Sequence, residues 1–166
     1  RVFRSNPADK SVWVSYMKYA DLYKKIGYTF KNEAYLDHAM TRTAYAREHE
    51  TPMNETMDSL AVLGDAVLDL VMICEIMVEG EYDKGEITRR KIDAVNMTVV
   101  RKIAEQLELP SYIRWGKGEL RMQIWTSGRV SAECFEALVG AAYMDGGVEA
   151  AKTIIRTVRT PQGSTK

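Results

Sequence analysis

Cysteine is scarce in this chain of 166 residues, which contains only Cys74 and Cys134. Neither stands in a CxxC pair or beside a pair of histidines, so the sequence indicates neither a zinc site nor a disulfide framework. No apolar run approaches the roughly 20 residues that cross a bilayer, and residues 1–10 lack the apolar centre of a secretion signal. We therefore expect an intracellular protein, either cytoplasmic or in an organelle, that folds in a reducing compartment.

An excess of either charge is also missing, because Lys and Arg together number 23 and Asp and Glu together number 23. The distribution is nevertheless uneven. Residues 33–83 contain twelve acids against two bases, whereas residues 84–129 contain ten bases against five acids. The acidic half could collect cations and the basic half could hold phosphates. Ordinary solvated helix faces would produce the same pattern.

Runs of alternating polar and apolar residues are few, and apolar residues recur at spacings of three and four. This pattern predicts an all-α fold, and the length and 46% hydrophobic content suit one domain over residues 1–166. Asn32 is the expected N-cap of the second helix. We expect a polar loop over a groove at residues 115–119, a turn at residues 145–147 and a solvated tail at residues 160–166. The predicted helices cover residues 12–26, 32–40, 43–49, 55–77, 86–95, 97–107, 130–144 and 148–158.

Two of the predicted helices are apolar and also contain carboxylates at helical spacing. On the first, Asp58, Asp65 and Asp69 lie along one stripe, and on the second Glu133 and Glu136 are three residues apart. Apolar neighbours surround Asp65, so we expect it to be buried, which is costly for a carboxylate without a neutralising partner. If the helices pack together, their acids form a divalent-cation site suited to Mg²⁺. Taken singly, Asp65 could be a hydrogen-bonded buried acid and the glutamates a solvated stripe.

Both acidic segments resemble blocks of one family, the catalytic domain of ribonuclease III. Residues 60–70 resemble the family signature NERLEFLGDAVLDL, and residues 133–147 resemble its second block, DTFEALIGAIYLDGG. Four further segments, at residues 22–30, 41–46, 85–88 and 115–119, resemble LEEKLGYTF, THRSYA, GELS and LGKGE. The blocks occur in the family's order across residues 20–158, so the likeness covers most of the chain.

The resemblance implies an all-helical endonuclease domain that acts as a homodimer on double-stranded or hairpin RNA. It implies a water activated by Mg²⁺, for which Mn²⁺ can substitute. Asp65, Glu133 and Glu136 match the metal ligands, with Asp65 and Glu136 as the catalytic pair. Asp58 takes the place of the first signature glutamate and is a supporting acid.

The chain departs from the family at positions that bear on activity. The second signature glutamate, a metal ligand, is replaced by Ala61, which cannot coordinate a cation. The neighbouring family phenylalanine, which helps the domain to dimerise, is Val62, and the aspartate of the second block is Glu133. Asp58 lies about two helical turns, near 10 Å, from Asp65 and cannot replace the missing ligand. The expected dimer contacts are Leu60, Val62 and Leu63.

No sequence beyond residue 158 is long enough for the double-stranded RNA-binding domain that many relatives append. The expected phosphate contacts therefore belong to the catalytic domain, which would recognise A-form shape with little base readout. They are Arg89, Arg90, Lys91, Lys117 and Arg121.

Two other functions remain open from the sequence. Because of Ala61, the chain could be a catalytically weakened member that serves as an RNA-binding or ribosome-associated module. A helical protein-interaction domain unrelated to RNA would require the resemblance of all the blocks to be accidental.

Overall fold

Helices make up most of the chain in the computed structural model, which describes the backbone of residues 10–159 and the side chains of residues 18–159. No β-strand forms within this part of the chain, and Thr41 and Arg114 make an isolated bridge. The all-α prediction is therefore confirmed, whereas the predicted tail at residues 160–166 lies outside the described residues. The helices are α1 (Lys10–Ile26), α2 (Glu33–Ala39), α3 (Thr43–Glu48), α4 (Met57–Val78), α5 (Lys84–Val95), α6 (Met97–Gln106), α7 (Lys117–Met122) and α8 (Gly128–Arg159).

Local signals set several of the helix ends. Gly27 ends α1 with a φ of 67°, a conformation that favours glycine. The Asn32 side chain accepts a hydrogen bond from the backbone N–H of Ala34 at 3.1 Å, as an N-cap does. Asp83 begins α5 in the same way, by accepting from the N–H of Glu86 at 2.8 Å. These helices start and stop within a few residues of the predicted positions.

The long helices α4 and α8 form the centre of the fold and cross at two glycines. A Cβ added at Gly64 would lie 1.7 Å from the carbonyl oxygen of Glu136, and one added at Gly140 would lie 2.1 Å from that of Leu60. Since ordinary contacts begin near 3.4 Å, the backbones touch directly at this crossing. The contact places Glu136 beside the turn of α4 that runs from Leu60 to Gly64. None of the described helices is long and apolar enough to cross a membrane.

The predicted turn at residues 145–147 is a break within α8, where Gly147 has a φ of 69° and a ψ of −163°. Asp145 connects the break to the segment between α1 and α2. Its carboxylate accepts hydrogen bonds from the Tyr28 hydroxyl at 2.6 Å and from the backbone N–H groups of Lys31 and Asn32, each at 2.8 Å.

The predicted loop at residues 115–119 is wrong in its second half, because α7 begins at Lys117. Trp115 is buried and packs 5.6 Å from Trp125 between ring centroids. The first N–H groups of a helix need acceptors, and here Glu119 accepts from Gly116 at 3.1 Å. Glu48, from α3, accepts from Lys117 at 2.9 Å. The first N–H group of α7 therefore donates to a carboxylate that is 69 residues away in the sequence.

Candidate active site

An acidic groove of about 810 Å³ opens between α3, α4, α7 and the first turns of α8. Five carboxylates line it, two from α4, one from α7 and two from α8. Val95 and Met97, at the corner between α5 and α6, also line it. The lining residues are Arg42, Thr43, Ala44, Arg47, Met57, Asp58, Ala61, Val62, Asp65, Val95, Met97, Glu119, Arg129, Ala132, Glu133 and Glu136.

Asp65 and Glu136 are the two acids of this groove without a hydrogen bond or ion pair to any described residue. Asp65 is exposed, so the expectation that it is buried is wrong. The side of α4 that faces α8 includes Leu60, Gly64 and Val67, and Asp65 lies at the edge of that face, open to the groove.

Glu136 is half-buried, and its surroundings disfavour its charge. Burial is the main cause, and the negative charges of Asp65 and Glu133 add to it, so the pKa of Glu136 rises to about 7. Carboxylates from two distant segments therefore act on one another across this groove. A cation placed between them would offset the repulsion between these negative charges.

Glu133 is paired with guanidinium groups, in contrast to Glu136. Arg42 Nη1 lies 3.4 Å from one carboxylate oxygen, and Arg129 Nε lies 3.4 Å from the other. Arg42 is also paired with Glu119, with both Nε and Nη2 at 2.9 Å from the same oxygen. Burial lowers the pKa of Arg42, but the hydrogen bond and charge of Glu119 offset this, so the pKa is raised overall.

The other two acids of the predicted α4 stripe have separate environments. Asp58 accepts a hydrogen bond from the Thr43 hydroxyl at 2.6 Å, at the edge of the groove. Asp69 is absent from the groove lining and accepts from Lys91 Nζ at 2.8 Å. Of the three aspartates on the predicted stripe, Asp58 and Asp65 therefore line the groove and Asp69 does not.

The free acids suit a hard divalent cation, because such ions prefer carboxylate and water oxygens. No group of three or more His, Cys, Asp or Glu side chains is arranged to hold a metal among the residues that the structure describes. Asp65 and Glu136 can act as ligands without disturbing another contact, whereas Glu133 would be shared between a cation and its arginine partners. The fit is therefore that of a two-carboxylate site completed by water.

Of the predicted phosphate-binding residues, three make ion pairs away from the groove. Arg89 pairs with Glu86 and Asp93, and Arg90 pairs with Glu79 near the far end of α4. Lys91 pairs with Asp69.

The other two, Lys117 and Arg121, are exposed on α7 and form no ion pair with any described residue. The groove's own bases are Arg42, Arg47 and Arg129, which the sequence reasoning missed. The signal for Arg129 is its position four residues before Glu133 on one helix.

The three residues predicted as dimer contacts differ in their exposure in the structure. Leu60 is only 9% exposed and packs in this chain's own core, which leaves little of it for a partner. Leu63 is half-buried against the same core. Val62 is 76% exposed. It begins a stripe of exposed residues on α4 that also includes Ala66 and Leu70.

The fold and groove define an all-helical domain in which the crossing of two central helices brings carboxylates together. The family model described as ribonuclease-III-like matches residues 32–161. The chain therefore belongs to the ribonuclease-III-like family, as its sequence blocks predict.

Similar proteins agree with this assignment. Ribonuclease 3 of Bdellovibrio bacteriovorus is 36% identical over 142 residues, which cover 84% of this chain and 60% of that relative. Ribonuclease 3 of Cupriavidus pinatubonensis is 30% identical over 141 residues, covering 84% of this chain and 52% of the relative. The chain thus spans between about half and 60% of these curated relatives. A solved nuclease domain of ribonuclease III from Campylobacter jejuni aligns with a TM-score of 0.74 at 27% identity, covering 84% of this chain and 95% of that domain.

Proposed function

We propose that this chain is a metal-dependent endoribonuclease that hydrolyses phosphodiester bonds of double-stranded or hairpin RNA. The observation that carries the proposal is the pair Asp65 and Glu136. They come from segments far apart in the sequence, lie in one groove and have no hydrogen bond or ion pair to a described residue. Membership of a family whose relatives are named Ribonuclease 3 supports RNA as the substrate.

In this proposal Asp65 and Glu136 hold Mg²⁺, with Mn²⁺ as a substitute. Bound there, the ion would activate water and stabilise charge on the leaving oxygen. The exposed guanidinium of Arg129 and the exposed Arg47 flank the acids and attract phosphates into the groove. Asp58 is oriented by Thr43 and keeps the approach negative for an incoming cation.

We further propose that the domain acts as a homodimer through the outer face of α4. Val62, Ala66 and Leu70 are exposed along one stripe of this helix, at the four-residue spacing that lines one helix face. The nuclease domain from Campylobacter jejuni has a region involved in dimer formation. Val62 also lines the groove, so a partner on this face would border the site.

The test is cleavage of an end-labelled RNA duplex in Mg²⁺ or Mn²⁺ by the wild type, Asp65→Asn and Asp69→Asn. The two variants make the same substitution on the same helix about one turn apart, but only Asp65 lies in the groove. We expect Asp65→Asn to lower the cleavage rate by about 100-fold or more, with Asp69→Asn close to wild type.

Equal loss in the two variants, or cleavage that persists in Asp65→Asn, would contradict the proposed site. Duplex binding by the wild type without cleavage in either metal would instead support the RNA-binding alternative.

A further inference from the structure

We infer that Arg42 is a positioning residue of the acidic groove, whose guanidinium bridges Glu119 and Glu133 and competes with a cation for the Glu133 carboxylate. The inference rests on the proposed metal-dependent function. It concerns a residue that lies immediately before α3 and whose side chain is only 14% exposed.

One half of the guanidinium is fixed by Glu119. Arg42 Nε and Nη2 each lie 2.9 Å from Oε1 of Glu119, while Oε2 of Glu119 accepts from the backbone N–H of Gly116. The Trp115 ring centroid lies 5.8 Å from the guanidinium carbon, within the range of a cation–π contact. Both oxygens of Glu119 are therefore occupied, and Glu119 is not a free ligand.

The other half of the guanidinium is directed at Glu133. Arg42 Nη1 lies 3.4 Å from Oε2 of Glu133, which is long for a charge-assisted hydrogen bond. Attraction between the charges thus holds the contact, and arginine keeps its charge at every pH at which proteins fold. Arg129 pairs with the other oxygen but is 80% exposed, and exposed pairs contribute little. Arg42 is therefore the main competitor of a cation for Glu133.

Because Ala61 removes one potential ligand, the competition for Glu133 affects how tightly a cation binds. Ala61 lines the groove one turn before Asp65 and provides no carboxylate at the position where the family signature has a glutamate. A cation therefore has Asp65 and Glu136 as its only unpaired acids among the described residues of the groove. A cation that recruits Glu133 as a third ligand shares this carboxylate with Arg42, so the bridge weakens cation binding.

The experiment is a titration of the full chain with Mn²⁺ at pH 8, read by calorimetry and by the electron paramagnetic resonance signal of free Mn²⁺. The variants are Arg42→Gln, Glu133→Gln and the double variant, with Arg47→Gln as the matched control. Arg47 lies in the same groove without an ion pair to a described residue, so it reports the general effect of removing a positive charge.

We expect Arg42→Gln to bind Mn²⁺ about fivefold to tenfold more tightly than the wild type, since the Glu133 carboxylate that it releases adds an attraction for the cation of roughly a kcal/mol or more. In the Glu133→Gln background the same change should alter the affinity by less than about twofold, because Arg42 acts through Glu133. Arg47→Gln should have a smaller effect than Arg42→Gln.

A gain that persists in the Glu133→Gln background would overturn the inference, as would equal affinities in the wild type and Arg42→Gln. Far-UV circular dichroism checks the fold, and Arg42→His, which is neutral at pH 8, provides a second variant with the same expected gain. Absence of Mn²⁺ binding in every variant would refute the metal site itself. Binding that is present but unchanged by the Arg42 variants would refute the bridge alone.

Discussion

Replacing Gly64 with alanine tests the crossing of α4 and α8 on which the groove depends. The added Cβ would lie 1.7 Å from the Glu136 carbonyl oxygen and 2.5 Å from its carbonyl carbon. Both obstructing atoms are backbone atoms of a buried part of α8, so a side-chain rotation cannot relieve the clash. The two helices must move apart by more than 1 Å to restore an ordinary contact distance near 3.4 Å.

The cost of Gly64→Ala is set by two opposing terms. Forcing an extra carbon into a packed core costs about 1–3 kcal/mol and occasionally more, and the rigid backbone partner favours the upper end. Alanine recovers about 1 kcal/mol through its higher helix propensity. We expect a net loss of about 2 kcal/mol in the free energy of unfolding. Urea slopes are typically about 1–3 kcal/mol per molar, so the unfolding midpoint should fall by about 1 M.

Urea denaturation followed by circular dichroism measures this loss, and Gly118→Ala is the matched control. Gly118 lies in α7, and nothing stands within 4 Å of a Cβ added there, so alanine should stabilise that helix by up to about 1 kcal/mol. The two substitutions are therefore expected to have opposite signs. A Gly64→Ala variant as stable as Gly118→Ala would show that the helix backbones are not in contact and would refute the geometry that places Glu136 beside Asp65.

Three further predictions concern charge and assembly. The pKa of Glu136 rises on folding from 4.5 to about 7. Between these two pH values the unfolded chain binds fewer protons than the folded chain, so the metal-free protein loses stability as the pH rises. Urea midpoints at pH 5 and pH 8 should show this loss in the wild type but not in Glu136→Gln. Val62→Lys should shift a dimer to a monomer in sedimentation without unfolding it, because the side chain is exposed; an unchanged sedimentation coefficient would exclude this face. Lys117→Ala should weaken duplex binding and lower the salt dependence of the affinity by about one phosphate contact, while Arg89→Ala should leave both unchanged. Equal effects of the two variants would contradict the assignment of Lys117 as a phosphate contact.

The helices other than α7 could be predicted because their signals are local, whereas α7 begins at a contact with the distant Glu48. Gly27, Asn32 and the turn before Gly147 each act through the backbone of neighbouring residues, which a single segment of sequence reveals. The core role of α4 and α8 could be predicted as well, from their length and apolar content. The family resemblance added the expectation that the acidic segments of these two helices belong to one site.

The orientation of α4 could not be read from its composition. Apolar residues such as Leu63, Val67 and Leu68 surround Asp65 in the sequence, and they suggest burial on every side. The contact with α8 is made instead through the face that contains Gly64, because the absence of a side chain allows the closest approach there. Asp65, the next residue, is consequently at the edge of the interface and open to the groove.

The availability of a base for RNA depends on its ion pairs, and only some of these can be predicted. Arg89 stands three residues after Glu86 and four before Asp93, a spacing that predicts ion pairs along a helix, and the prediction of Arg89 as a phosphate contact did not take this spacing into account. Arg42 and Glu119 are 77 residues apart, and no periodicity connects them. Their pairing arises from the packing of α7 against α3, so the charge of the groove depends on tertiary contacts that sequence patterns do not encode.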